Sequence, residues 1–327
     1  MSDPNQQLKE KFKETHRYPN FGDILMRMHL RGFRCHSNTV VEIASPVTAF
    51  CGLNGTGKST LLQLAAAAYQ DPDGVSSHYI KNFLIVSRLD PNPFYEDASI
   101  EFKFWQADRS LKPLTLSRSS TTKRWQGYGR RNERKVLFAG VGWYLPKIEQ
   151  KDFIIRKAGQ LAVVESSAIA ETVKSQTCRV LGQHYSEATS HTVSFSNRRG
   201  NLISVQRTAV TYSESHMGFG EARSIQLISA LEILPDKSLV LIEEPEISLH
   251  PSAQFEFGRY LVEVSTRKRH QIMLTTHSEF ILSALPSESR IYLKRADNGI
   301  TTIPGLTSLQ AKSLMADGHT KCSSKRK

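Results

Sequence analysis

The sequence predicts an α/β fold: a mixed sheet core flanked by helices, with an antiparallel β subdomain and a short helical insertion. Three observations predict it. Residues 47–69 read as a buried strand, a glycine-rich loop and a helix rich in Ala and Leu. Residues 238–242 form a continuous apolar run, as a central parallel strand requires, and residues 271–276 read as another buried strand. Residues 191–213 break into short strands around a turn at 197–201, as a β meander does.

Taken in order, residues 1–20 are polar and mixed in charge, and predict a loosely held arm with a short helix at Gln6 to His16. The main domain is expected over 21–305. Strand-like patterns at 24–29 and 39–43 feed the glycine loop. Asp71-Pro72-Asp73-Gly74 is a turn. Residues 83–87 and 99–105 read as strands, the second alternating cleanly. Residues 106–190 predict a basic, solvated loop or hairpin followed by a mainly helical insertion at 146–188, where Ile169, Val173, Val180 and Leu181 share one helical face. The meander follows, with strands at 191–196, 202–206 and 209–213. Residues 221–234 and 253–264 predict helices, and Asp297-Asn298-Gly299 a hairpin turn. Residues 306–327 predict a helix and a basic tail.

Composition narrows the class. The chain has 327 residues, of which 39% are hydrophobic, enough for a real core. No apolar run approaches the ~18 residues needed to cross a bilayer, and the N-terminus lacks a secretory apolar core, so a cytoplasmic protein without a membrane partner is expected. Cys35, Cys51, Cys178 and Cys322 are scattered, and suggest reduced thiols with neither a disulfide framework nor a zinc site. Net charge is +12, which favours polyanionic partners. The block at 118–135 carries Arg118, Lys123, Arg124, Arg130, Arg131, Arg134 and Lys135 around Trp125 and Tyr128, the ingredients of a phosphate-contacting loop. Arg124, Arg130 and Arg131 are its nucleic-acid candidates.

The glycine loop is specific. Residues 52–60 read Gly-Leu-Asn-Gly-Thr-Gly-Lys-Ser-Thr. Gly52, Gly55 and Gly57 let the backbone turn its N–H groups, with Asn54, Thr56 and Thr60, around a phosphate. Lys58 brings a charge to β- and γ-phosphates, and Ser59 offers a hydroxyl to Mg²⁺. Later segments complete a nucleoside triphosphate site. The apolar strand ending in Glu243-Glu244-Pro245-Glu246 puts carboxylates at the sheet's C-terminal edge. Glu243 is the metal candidate, and Glu244 the residue that positions or activates water. His277, after a strand, is placed to bond a γ-phosphate. Gly218, Gly220 and Glu221 open a helix and offer a second anion site.

In this order (phosphate loop, glycine-led helix, acidic strand, strand-His) the chain resembles the head domain of ABC-type ATPases, specifically the SMC-like and OLD-like branch. The sharpest matches lie at 52–60, 242–251 and 275–278, and the resemblance covers about 24–305. It implies a P-loop NTPase fold of ABC-head type, ATP with Mg²⁺, and a homodimer or higher assembly that sandwiches two ATP molecules. Lys58, Ser59, Glu243, Glu244 and His277 would come from one subunit, and Gly218, Gly220 and Glu221 from the other. Leu249-His250-Pro251 would lie near that interface. Glu243 stands where most such heads have aspartate. Gly218 takes the place of the signature serine, with Ser215 nearby. Gln106 is the weak candidate for a glutamine loop.

The segment between loop and signature is too short for a chromosome-scale arm. A helical hairpin over 146–188 would reach only about 30 Å at ~1.5 Å per residue. No zinc hook is present. No C-terminal nuclease domain of the OLD type is expected, so a separate effector, nuclease or toxin, is the implied partner. The chain looks like ATPase subunits of bacterial anti-phage systems of the Septu, PARIS or retron-linked types. The expected function is a slow ATPase that dimerises on ATP and regulates such an effector. A DNA repair or maintenance ATPase and a nucleotide-binding scaffold with negligible hydrolysis are the alternatives. A transporter head fits least well with the acidic strand and the charge.

Overall fold

The computed structural model describes residues 3–145, 147, 152–297 and 299–317. In chain order they form α1 (Pro4–Phe12), α2 (Glu14–Phe21), β1 (Leu25–Phe33), β2 (His36–Glu42), β3 (Val47–Gly52), α3 (Lys58–Ala65), α4 (Ile80–Phe83), β4 (Phe94–Trp105), β5 (Leu111–Arg118), β6 (Trp125–Gln126), β7 (Val136–Ala139), α5 (Phe153–Arg156), β8 (Ala162–Ala168), α6 (Glu171–Leu181), β9 (Glu187–Phe195), β10 (Arg198–Arg207), β11 (Val210–Ser213), α7 (Phe219–Ile233), β12 (Leu239–Glu243), α8 (Pro251–Lys268), β13 (Gln271–Thr275), α9 (Glu279–Ala284), β14 (Arg290–Ala296), β15 (Gly299–Pro304) and α10 (Ser308–Asp317). None of the described helices is long and apolar enough to cross a membrane.

The central sheet runs β15-β14-β3-β13-β12-β7. Its inner strands are parallel, and β15 closes one edge antiparallel. Every residue of β3, β12 and β13 is buried, which is why these segments carry no polar alternation. Successive residues instead alternate between two cores. Leu239, Leu241 and Met273 face α3 and the five-stranded sheet β2-β1-β4-β5-β6. Val240, Ile242, Ile272 and Leu274 face α1, α7, α8 and α9. The four-stranded sheet β11-β10-β9-β8 forms a third layer, with a small core of Tyr185, Ile203, Val205 and Ile225.

Four expectations change. The first twenty residues are not a loose arm. Leu8, Phe12 and Phe21 are buried, Lys11 Nζ donates to the Thr266 carbonyl at 2.8 Å, and Arg17 lies over Phe12 and Trp105 at 4.4 and 4.5 Å. Leu8 and Phe12, four apart, make one helical stripe that the polar majority conceals. Residues 83–87 are not a strand: the chain makes a helical turn at Ile80–Phe83, and Ile85 and Val86 face solvent.

Residues 106–135 are more ordered than a solvated loop. β5 pairs along β4, its Leu114 and Leu116 point inward, and Trp125 stacks on Phe33 at 5.6 Å. Among the described residues, the insertion at 146–188 has α-helix only in the single turn of α5 and over Glu171–Leu181. Its Val-Val pair opens β8, which joins the meander beside β9. β-Branched residues favour the pleated surface that the meander offers. The meander and the later helices form at the expected places, within a few residues. Residues 146, 148–151 and 298 and the basic tail at 318–327 lie outside the described residues.

Candidate functional site

Sheet order assembles the site. β13 lies between β3 and β12, so the three segments that end in the glycine loop, in His277 and in the acidic pair are neighbours. Glu243 pairs with Thr275, and Thr275 with Phe50. All three chains leave the sheet at its C-terminal edge, where open α/β sheets bind ligands.

The loop is tight by construction. Gly57 sits at φ +80 as the N-cap of α3, and a Cβ there would fall 2.1 Å from His36 Nε2 and 2.7 Å from Cys35 Sγ. A Cβ on Gly52, at φ +144, would fall 2.6 Å from the Leu293 carbonyl oxygen. Only glycine meets both the angle and the space. His36 bonds the Gly57 carbonyl at 3.1 Å and Thr39 at 3.1 Å, which fixes the loop's exit. Thr56 donates to the Leu53 carbonyl at 2.8 Å. Asn54, Gly55 and Ser59 are exposed, while Thr60 is buried.

Lys58 folds back over the loop, its Nζ donating to the carbonyls of Gly52 and Leu53 at 3.0 and 3.1 Å. Burial holds its pKa below the ordinary lysine range, opposed mainly by the Glu244 carboxylate. A buried ammonium with carboxylates nearby and two carbonyls as partners is ready to exchange those carbonyls for phosphate oxygens.

Glu243 ends β12 with its side chain buried. One oxygen takes the Val141 N–H at 3.4 Å, and the other, Oε1, is buried without a partner. Among the described residues no group of three or more His, Cys, Asp or Glu forms a closed metal cage. An orphaned carboxylate oxygen and a serine hydroxyl on α3 are instead the hard, sparse donors that Mg²⁺ takes while keeping water and phosphate oxygens.

Glu244 follows at φ +45, a left-handed conformation that costs a side-chain-bearing residue of order 1–3 kcal/mol. Two contacts hold it there. Its N–H donates to the Thr275 carbonyl at 3.1 Å, with Thr275 Oγ1 at 3.2 Å. Arg223 of α7 donates to the Glu244 and Glu243 carbonyls at 3.0 and 2.7 Å. Glu244 Oε1 lies 3.6 Å from His277 Nε2. Burial, then the charge of Lys58, keeps the His277 pKa below its usual value, so the ring is neutral at pH 7 and presents one N–H.

Glu246 ties the acidic turn to the histidine turn. Its Oε1 accepts from Thr276 Oγ1 at 2.8 Å, from His277 N at 2.6 Å and from Ser278 N at 3.2 Å, while Oε2 is buried without a partner. Burial, then the Glu244 carboxylate beside it, pushes its pKa up to about 7. Folded protein therefore holds a proton that the unfolded chain releases near pH 4.5, and stability falls as pH rises from about 4.5 to about 7. Glu246→Gln removes this term. Its melting temperature should rise relative to wild type between pH 5 and pH 7.5 in calorimetric scans. A constant offset would show that Glu246 is ionised throughout.

Not every expected residue converges. Gly218 is exposed, with open space where a side chain would stand. Gly220 is buried and serves close packing: a Cβ there would fall 2.2 Å from the Ser248 carbonyl oxygen. The Glu221 carboxylate already accepts from Tyr185 and Tyr212 hydroxyls at 2.6 and 2.7 Å. Gln106 is held by Asp23 at 3.0 Å. Arg131 is not available to nucleic acid. It is buried, donates to the carbonyls of Tyr69 and His78 at 3.0 and 2.9 Å, and lies against the rings of Tyr79 and Tyr128 at 4.9 and 4.8 Å. Carbonyls and aromatic faces replace its water. Lys123 pairs with Glu96 at 2.7 Å and Lys135 with Asp71 at 3.1 Å, whereas Arg124 and Arg130 stay exposed. Sequence reasoning missed Arg223, Glu246 and His36. The third acid of Glu-Glu-Pro-Glu was the available signal for Glu246; nothing local marks the other two.

Comparison with known proteins bears on the fold and the broad class. The AAA ATPase domain model matches residues 142–282, and an AAA domain model matches residues 27–134. The OLD nuclease of Thermus scotoductus is 24% identical over 78% of this chain and 59% of its own length. Protein ea59 of Escherichia phage lambda is 24% identical over 79% of this chain and 50% of its own length. The chain thus spans between half and three-fifths of these curated relatives. Among solved structures, the Smc head domain with a coiled coil and joint from Pyrococcus yayanosii aligns with TM-score 0.57 and 10% identity, over 90% of this chain and 99% of that one. The likeness establishes the head fold.

Proposed function

We propose that this chain, an ABC-type ATPase head of the SMC-like and OLD-like branch, is an ATP-driven switch that pairs head to head and controls a separate effector. The observation that carries the reading is the convergence of Lys58, Glu243, Glu244 and His277 at the ends of three adjacent parallel strands. Phosphoryl transfer asks little covalent chemistry of a protein; positioning and charge supply most of the acceleration. Lys58 exchanges its loop carbonyls for β- and γ-phosphate oxygens. Ser59 and Glu243 would hold Mg²⁺, which neutralises phosphate charge. Glu244 orients a water and draws its proton, and neutral His277 donates to the γ-phosphate side.

The exposed, open backbone at Gly218 supports a second role, capping the nucleotide of a partner head. With Glu221 engaged by two tyrosines, that contact would be made mainly by backbone N–H groups. This weak closure favours slow turnover, and leaves a nucleotide-binding scaffold as the second reading. The relative named OLD nuclease motivates an effector of nuclease or toxin type in anti-phage defence. Co-purification with neighbouring gene products, followed by mass measurement, tests the proposal. ATP should double the head count per particle, and an effector should travel with it. A monomer with and without ATP, with no companion, would end it.

A further inference from the structure

In the basic block at 118–135, Arg131 and Arg134 are buried while Arg124 and Arg130 stay exposed, and a second basic cluster lies apart from it. We propose that the hairpin tip between β9 and β10, with α5 beneath it, docks single-stranded nucleic acid. Arg156, Lys157 and Arg198 would hold phosphates, and Phe195 would stack a base.

The two elements enclose a cavity of about 450 Å³, lined by Phe153, Arg156, Lys157, Phe195 and residues 196–198. Lys157 Nζ lies 5.2 Å from the Phe195 ring centroid, so cation and aromatic face stand side by side. Arg156, Lys157, Arg198 and Arg199 are all exposed, and among the described residues none of them is in an ion pair. Some other surface cations are paired. Arg179 meets Glu263 at 2.7 Å and Arg267 meets Glu232 at 2.6 Å. Arg156, Lys157 and Arg198 line this one cavity, and gathering three cations there carries a repulsive cost that a polyanion removes.

The platform is set by packing. Asp152 caps α5 by accepting the Ile154 N–H at 3.1 Å. Ile154 is buried against the hairpin, where a Cβ on Gly200 would fall 2.7 Å from its Cδ1. Ser196, at φ +54, turns the chain between the paired residues Phe195 and Arg198. The aromatic ring decides between polyanions. An acidic peptide needs only the cations, and a duplex keeps its base faces stacked inside. A single strand offers phosphates and open π-faces at once.

The test uses the full chain without nucleotide, so it stands apart from the ATP reading. Anisotropy of a fluorescein-labelled 20-nucleotide dT strand is followed at several salt concentrations. Joint replacement Arg156→Ala, Lys157→Ala and Arg198→Ala should weaken binding at least about 10-fold near 0.1 M salt, and flatten the log–log salt slope by about 0.7 per cation. Phe195→Leu keeps the apolar bulk but loses the stacking face. It should weaken binding about 5-fold or more with the slope unchanged. A circular dichroism spectrum and melting temperature like those of wild type report that both variants are folded. Wild-type affinity in the triple variant overturns the proposal. So does a loss confined to Arg124→Ala with Arg130→Ala. Duplex bound more tightly than single strand, or polyglutamate displacing the strand while Phe195→Leu binds normally, overturns it too.

Discussion

Glu244→Gln should bind ATP as wild type does, lose turnover by at least about 100-fold, and accumulate as a closed pair of heads. The carboxylate is the group best placed to draw a proton from water, and a positioned general base contributes about 10²- to 10⁴-fold. Gln keeps the side-chain length and cannot accept that proton. The left-handed backbone, held through Thr275 and Arg223, is untouched by the change. Under the proposed function, binding would rest on the glycine loop and Lys58, which follow a different strand, β3. Phosphate release and particle mass in the same samples check this. Normal hydrolysis by the variant would remove Glu244 from the mechanism.

Arg223→Met should produce the second largest effect, on a residue with no place in the sequence motifs. It projects from α7 with its guanidinium buried, and its two hydrogen bonds go to the carbonyls of Glu243 and Glu244. Burial lowers its pKa, partly offset by the charges of Glu246, Glu244 and Glu243. Met fills the volume but leaves two buried carbonyls without donors, at a cost of about 2–4 kcal/mol. The acidic turn would then relax from its strained conformation. A displacement of about 1 Å at reacting groups can cost ~10²-fold in rate. Turnover should fall by about 10- to 100-fold while ATP affinity stays within about threefold. The helix that Gly218 opens would thereby be mechanically joined to its own acidic pair. Chemical denaturation, nucleotide titration and phosphate release separate the three quantities. A variant that is destabilised yet turns over normally would make Arg223 a packing residue alone.

The legible parts of the molecule were those where one residue type has one physical use. Gly52 and Gly57 are at positive φ with no room for a Cβ, so a glycine pattern reads directly as a loop geometry. Residues 238–242 are buried on both faces, so their apolar run reads directly as an interior strand. The illegible parts were those where partners come from far along the chain. Arg131 looked like a surface cation because its neighbours in sequence are charged, yet its carbonyl partners lie at Tyr69 and His78. Leu8 and Phe12 looked incidental because α8, which covers them, is some 250 residues away. The Val-Val pair of β8 reads as part of a helical segment because its strand partner, β9, follows only after α6.

By itself the sequence determined the phosphate cradle, the acidic strand and the histidine turn, because each is a local backbone conformation with its own residue requirements. Tertiary structure alone decided that β13 sits between β3 and β12 and brings the three together. It also decided that Arg223 holds the acidic turn, that Glu221 and Arg131 are occupied, and that Arg156, Lys157 and Arg198, in no ion pair among the described residues, line one cavity. Such facts depend on which distant groups are left without solvent, and no window of sequence contains both partners.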